Sequence, residues 1–122
     1  MIDVQPIPMI AEDERGSTHY INTDRTEQFV MGYRKAGTHN ARHYHKGLAD
    51  NKNPEIMLLM QGEITINWYD VRDTTIKGTC RAVAPAIVTV QAWAWHEVTA
   101  DTDIVFLELN RLIDGKEDSF RV

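Results

Sequence analysis

Apolar residues in this chain come in short runs set at close intervals, and that spacing leaves few architectures open. Ile56 to Met60 is an uninterrupted apolar run, Gln61-Gly62 reads as a turn, and Ile64, Ile66 and Trp68 then alternate with Glu63, Thr65 and Asn67. A two-residue period places successive side chains on opposite faces of a half-buried strand. The two segments predict a β-hairpin. Gln28 to Tyr33, Ile87 to Val90 and Ile104 to Leu109 are further strand candidates, rich in β-branched or bulky residues and bounded by Gly, Pro, Asp or Asn. No stretch carries three turns of helical periodicity with caps. Several short strands in a chain this small predict an all-β barrel or sandwich. Lys46 to Pro54 is the one long loop, with the composition of exposed irregular chain.

The 122 residues suffice for one domain with one core, and residues 1–122 are read as that single domain. Hydrophobic residues at 43% and charged residues at 25% are close to a globular average, which excludes a disordered tail. A net charge of −5 disfavours a general nucleic-acid surface. The charge is unevenly spread. Residues 31 to 50 hold Arg34, Lys35, Arg42 and Lys46 against Asp50, so they carry +3 and leave −8 on the remainder. Such a basic segment is either an ordinary solvated face or a place for a small anion. The single cysteine, Cys80, excludes an internal disulfide framework and fits the cytoplasm. No segment reads as a secretion signal or a membrane span, so no membrane partner is expected.

His43-Tyr44-His45 is the most informative tripeptide. On a strand, positions i and i+2 face the same way, so both imidazoles would enter one cavity. Paired there, they could ligate a divalent metal or share a proton-transfer task; on a solvated face they would do neither. The wider spacing adds context. Five residues separate Gly37 from His43, Glu55 opens the next apolar strand, and six residues separate Glu55 from Gly62. Gly, His-x-His, Glu and Gly in that order resemble the first motif of the cupin superfamily, whose fold is a double-stranded β-helix, or jelly-roll barrel. Nine residues separate His45 from Glu55, more than the family's usual spacing, and the polar loop accounts for the excess. His96 in Trp95-His96-Glu97 sits where the second motif has its histidine, although Gln91 and Trp93 occupy places usually held by Pro and Gly.

Within that superfamily, Asp13-Glu14-Arg15-Gly16, His43-Tyr44-His45-Lys46, and Pro85-Ala86-Ile87 followed by Trp95-His96-Glu97 resemble the cupin enzymes acting on nucleotide-linked 4-keto-6-deoxy sugars. These are the 3,4-ketoisomerases and, more distantly, the 3,5-epimerases. An Arg-Gly pair commonly stands just before the histidines in those enzymes, and Asn40-Ala41 stands there in this chain. The resemblance implies an isomerase or epimerase with a nucleotide-sugar substrate and a homodimeric assembly. Moving a ketone along a sugar needs a base of near-neutral pKa, for which histidine is suited. His43 and His45 are the expected proton shuttles, with Tyr33 as a hydroxyl near the sugar and Glu55 or His96 orienting the imidazoles. Arg34, Arg42, Lys46 and Trp95 are the expected substrate contacts. The resemblance also implies a second class, because His43, His45, Glu55 and His96 are the ligand set of metal-binding cupins, suited to zinc, iron, nickel or manganese. A carbohydrate-binding domain without turnover is a third. Trp68, Trp93 and Trp95 are expected as core or subunit contacts, and Glu97 as the partner of a neighbouring charge.

Overall fold

The computed structural model describes all 122 residues. Eleven strands and one short helix follow one another: β1 (Ile2–Pro6), β2 (Met9–Asp13), β3 (Gly16–His19), β4 (Val30–Arg34), β5 (His39–His43), β6 (Glu55–Gln61), β7 (Glu63–Asp70), β8 (Asp73–Val83), β9 (Ala86–Val90), β10 (Ala94–Ala100), β11 (Ile104–Glu108) and α1 (Leu112–Glu117). One sheet has the order β1-β9-β6-β11-β4 and the other β5-β10-β7-β8, while β2 and β3 form a separate ribbon. Every pairing is antiparallel. The two main sheets close over a core of Met57, Leu59, Ile64, Ile66, Ala82, Val88, Ile104 and Phe106 among others. This is the all-β class that the strand spacing predicts and the jelly-roll barrel that the motif resemblance implies.

The run Ile56 to Met60 is apolar at consecutive positions because β6 is covered on both faces. Met57 and Leu59 point into the barrel, whereas Leu58 packs outside it with Ile7 and Leu109. The expected hairpin across Gln61-Gly62 does not form. β6 pairs with β9 and β11, and β7 pairs with β8 and β10, so the chain crosses between sheets at this corner. Gly62 has φ +92°, and a Cβ there would overlap the carbonyl oxygen of Asp103, so the corner requires glycine. The local pattern of alternation is the same for a hairpin and a sheet-to-sheet corner; only long-range pairing separates them.

The 46–54 segment is irregular as expected, with Lys46, Leu48, Asp50 and Asn53 exposed. It is pinned rather than loose: Arg25 donates to the carbonyls of Asn51 at 2.8 Å, Pro54 at 2.5 Å and Leu109 at 3.2 Å. Lys52, read as part of a solvated loop, is only 3% exposed.

Candidate functional site

Four strands deliver their ends to one end of the barrel. His43 is the last residue of β5, Glu55 the first of β6, Glu108 the last of β11, and His96 lies near the start of β10. Antiparallel pairing sets His96 opposite His43, and Glu55 opposite Val90. β5 stops at His43, but the chain stays extended because Tyr44 exchanges backbone hydrogen bonds with Phe120 at 3.0 and 2.9 Å. The two-residue period therefore carries through to His45, which lies buried behind His43 with ring centroids 4.8 Å apart. His96 completes the group at 4.9 Å from His43 and 5.5 Å from His45. The ligand-type atoms of His43, His45, Glu55 and His96 all lie within 4.8 Å of one another.

The hydrogen bonds decide the tautomers. His45 Nδ1 contacts the backbone carbonyl of Asp118, and His96 Nδ1 lies 2.9 Å from that of Ala94. A carbonyl only accepts, so each Nδ1 carries the proton. In the neutral ring that leaves each Nε2 as a lone pair aimed inward. Both face Glu55 Oε2, at 2.5 Å from His45 and 3.6 Å from His96. His45 Nε2 and Glu55 Oε2 are buried without a hydrogen-bond partner. Two lone pairs at that separation repel, so a proton or a metal cation belongs between them. Glu55 also lies 3.5 Å from the buried Lys52 ammonium, which stands 4.0 Å from Glu108.

Burial pushes the His43 imidazole down to about 3; the neighbouring His96 pushes the same way, and the Glu55 carboxylate opposes only in part. His96 is lowered by burial for the same reason. Burial by itself would raise Glu55, but His45 and Lys52 outweigh it and hold the carboxyl well below its ordinary range. Glu108 is raised by its burial and by Glu55 nearby. Two neutral imidazoles and an ionised carboxylate are the protonation states that a divalent metal needs, so the donor set fits one. The near-neutral base expected of His43 is not what its surroundings produce.

An open-mouthed cavity of about 80 Å³ runs inward from the cluster, walled by His43, Glu55, His96 and Glu108 and by the core side chains Ile66, Val88 and Phe106. Arg34 closes its mouth, bonded to Asn40 Oδ1 at 2.9 Å and lying over the Phe106 ring. His43 borders this cavity and also a polar cleft against α1, with Lys52, Asn110, Lys116 and Ser119. Of the expected substrate contacts, only Arg34 reaches the cavity. Strand alternation keeps both the expected catalytic hydroxyl and one expected contact outside: Tyr33 neighbours the inward Gly32 and Arg34 and is 65% exposed, and Trp95 neighbours the inward His96 and stacks on Tyr69 at 4.9 Å. Arg42 turns outward to Glu97 at 2.8 Å, giving Glu97 the charge partner expected of it. The Lys46 ammonium sits over the Phe120 ring. The basic segment is thus split between the mouth and the outer face.

Lys52, Glu108 and Asp118 were missed in the sequence. Glu108 had a signal, since it continues the inward positions Ile104 and Phe106 at a period of two. Lys52 and Asp118 had none, because both arrive through non-local contacts.

Comparison by sequence matches no family model and no curated protein. By structure, the chain superposes on dTDP-4-dehydrorhamnose 3,5-epimerase from Sulfolobus tokodaii with TM-score 0.77 and 13% identity, over 99% of this chain and 76% of that one. A 3,4-ketoisomerase from Helicobacter canadensis gives 0.74 and 16%, over 99% and 90%. A sugar 3,4-ketoisomerase from Thermoanaerobacterium thermosaccharolyticum, solved with TDP, gives 0.73 and 12%, over 99% and 88%. The fold is the cupin jelly roll of these proteins. In this barrel the His43, His45, Glu55 and His96 positions singled out by the motif converge at one end. No helix of the structure is long and apolar enough to cross a membrane.

Proposed function

We propose that this cupin is an isomerase or epimerase acting on a nucleotide-linked 4-keto-6-deoxy sugar at the His43, His45, Glu55 and His96 centre. The observation that carries the reading is the convergence of three imidazoles and one carboxylate in a barrel of the same fold as the sugar-nucleotide enzymes above. His43 is the proton-transfer group. Its ring borders both the cavity and the polar cleft and has no hydrogen-bond partner in the protein, whereas His45 is wholly buried with its Nδ1 held by the Asp118 carbonyl. Neutral His43 accepts the C3 proton beside the ketone, the C–H electrons form the C3–C4 double bond as the carbonyl electrons move onto the C4 oxygen, the C3 hydroxyl proton passes to that oxygen, and His43 returns its proton at C4 to leave the ketone at C3. A base this weak needs the carbon acid made more acidic by a nearby cation. Lys52 is one such charge, and the sugar hydroxyls fit the cleft that Lys52 lines with Asn110 and Ser119. Arg34 at the mouth is the candidate contact for the diphosphate.

The test is solvent exchange in D₂O, followed by proton NMR with TDP-4-keto-6-deoxyglucose as probe. Deuterium should enter beside the ketone, and His43→Asn should slow that entry by about 10²-fold or more. No exchange by the wild-type protein, whether metal-free or supplied with zinc, iron, nickel or manganese, contradicts the reading. Tight binding of the probe without exchange would instead indicate a carbohydrate-binding domain.

A second reading, a metal-dependent cupin with other small-molecule chemistry, is favoured by the facing lone pairs of His45 Nε2 and Glu55 Oε2. His43, His45, Glu55 and His96 would hold the ion. Bound there, a divalent metal supplies Lewis-acid polarisation of a substrate oxygen. Elemental analysis of protein purified without a histidine tag separates the cases. One transition metal per chain, lost in Glu55→Gln, supports the metal centre. A metal-free protein that exchanges deuterium supports proton transfer by side chains alone.

We further propose a homodimer in the cytoplasm. The β2–β3 ribbon projects from the barrel with Met9 at 53% and Ile10 at 63% exposure, an apolar surface that a second copy of the chain would cover.

A further inference from the structure

The segment after α1 runs back against the chain that carries His45. Asp118, which ends α1, is wholly buried, and a buried carboxylate is stable only when its oxygens are hydrogen-bonded. Here Oδ1 accepts the backbone N–H of Lys46 at 2.8 Å and Oδ2 accepts that of Ala49 at 3.1 Å. Its own N–H donates to the Asp114 carbonyl at 3.0 Å, and its carbonyl accepts Nδ1–H of His45. The seam continues through Phe120, whose ring packs on Tyr44 with centroids 5.7 Å apart. One residue thus grips both the backbone just after His45 and the His45 ring itself. A clasp serving only the loop would need the two carboxylate bonds alone. The carbonyl on Nδ1 adds something else, because it selects which nitrogen of His45 carries the proton.

We infer, on the reading that His45 serves the proposed centre, that Asp118 is its positioning residue: the carboxylate anchors the loop so that the carbonyl holds His45 in the Nδ1–H tautomer with Nε2 turned to Glu55. His96 provides an internal reference. Its tautomer is set within its own strand by the Ala94 carbonyl, apart from the Asp118 contacts.

The experiment records nitrogen–proton correlation spectra of the histidine rings in metal-free protein and titrates each protein with zinc ion alone. In the wild type, His45 and His96 should each show a single Nδ1–H tautomer. Asp118→Ala should mix the tautomers of His45 while leaving His96 unchanged, and weaken zinc binding by about 10–100-fold. Asp118→Asn keeps one acceptor oxygen and should fall between the two; if Asp118→Ala does not fold, Asp118→Asn decides. A single unchanged His45 tautomer with unchanged zinc affinity in the folded variants overturns the inference. A wild-type protein that binds no zinc contradicts the metal reading instead, and the tautomer spectra still decide the role of Asp118.

Discussion

At the scale of single residues, the centre should make the metal-free protein less stable as the solution is acidified from neutrality. His43 is held at about 3 against an ordinary 6.5, so between those values the unfolded chain binds a proton that the folded chain does not. Stability then falls as pH falls through that window. His96, also lowered, acts in the same sense, and the stabilisation from Glu55 is present above the ordinary carboxylate range and lost as pH drops through its depressed folded value. Urea midpoints taken from pH 7 to 4 after chelation should decline monotonically, with a shallower slope in His43→Gln; a profile that rises toward acid contradicts the neutral His43. A second residue-scale effect lies at the cavity wall. Ala41 and Arg42 have φ +66° and +60°, a left-handed conformation that L side chains rarely adopt, at the irregularity where β5 pairs with β10. Ala41→Gly should therefore stabilise the protein by about 1 kcal/mol in urea denaturation, since glycine meets no Cβ clash there. No change, or a loss, would show that the backbone strain is compensated locally.

At the scale of elements, strand alternation explains most of what the amino-acid pattern revealed and most of what it hid. Ile64 and Ile66 point inward and Glu63 outward as their spacing implies, and the same rule puts Trp95 outside once His96 is inside. The pattern is silent about partners. Glu63 to Trp68 reads identically whether β7 folds back on β6 or crosses to the other sheet, and the crossing was legible only in the close approach at Gly62. Gly62→Ala should cost on the order of 3 kcal/mol, combining a strained φ with overlap on Asp103 and Ile104. Gly32 makes the matching prediction on β4. A Cβ there would overlap the Phe106 ring, which lines the cavity under Arg34, so Gly32→Ala should displace that ring and weaken ligand binding more than it alters the histidine spectra. The burial of Lys52 within the 46–54 loop was not legible because composition reports what a segment prefers in isolation. Arg25 and Asp118 satisfy the backbone groups of this loop from 20 or more residues away, and so permit Lys52 to be buried.

At the scale of the whole molecule, the β2–β3 ribbon is the part whose environment the barrel does not supply. Every residue of β2 is exposed, and the Asp13–Arg15 ion pair at 2.7 Å only closes its turn. Light scattering coupled to size exclusion should give a dimer for the wild type and a monomer for a Met9→Asp, Ile10→Asp variant with unchanged circular dichroism; a monomeric wild type removes the assembly proposal. By itself the sequence determined the all-β class and the pairing of His43 with His45, while the barrel and the addition of Glu55 and His96 came from the motif resemblance. Alternation, turn residues and the His-x-His spacing are local properties that survive any tertiary arrangement. Tertiary structure alone decided which of those residues could act and in what state. The weak basicity of His43, the ionised Glu55 and the fixed ring of His45 depend on burial and on partners such as Lys52 and Asp118, brought in by loop and C-terminal chain. Desolvation and hydrogen bonding at a buried site are set by everything that surrounds it, and no short window of sequence contains those surroundings.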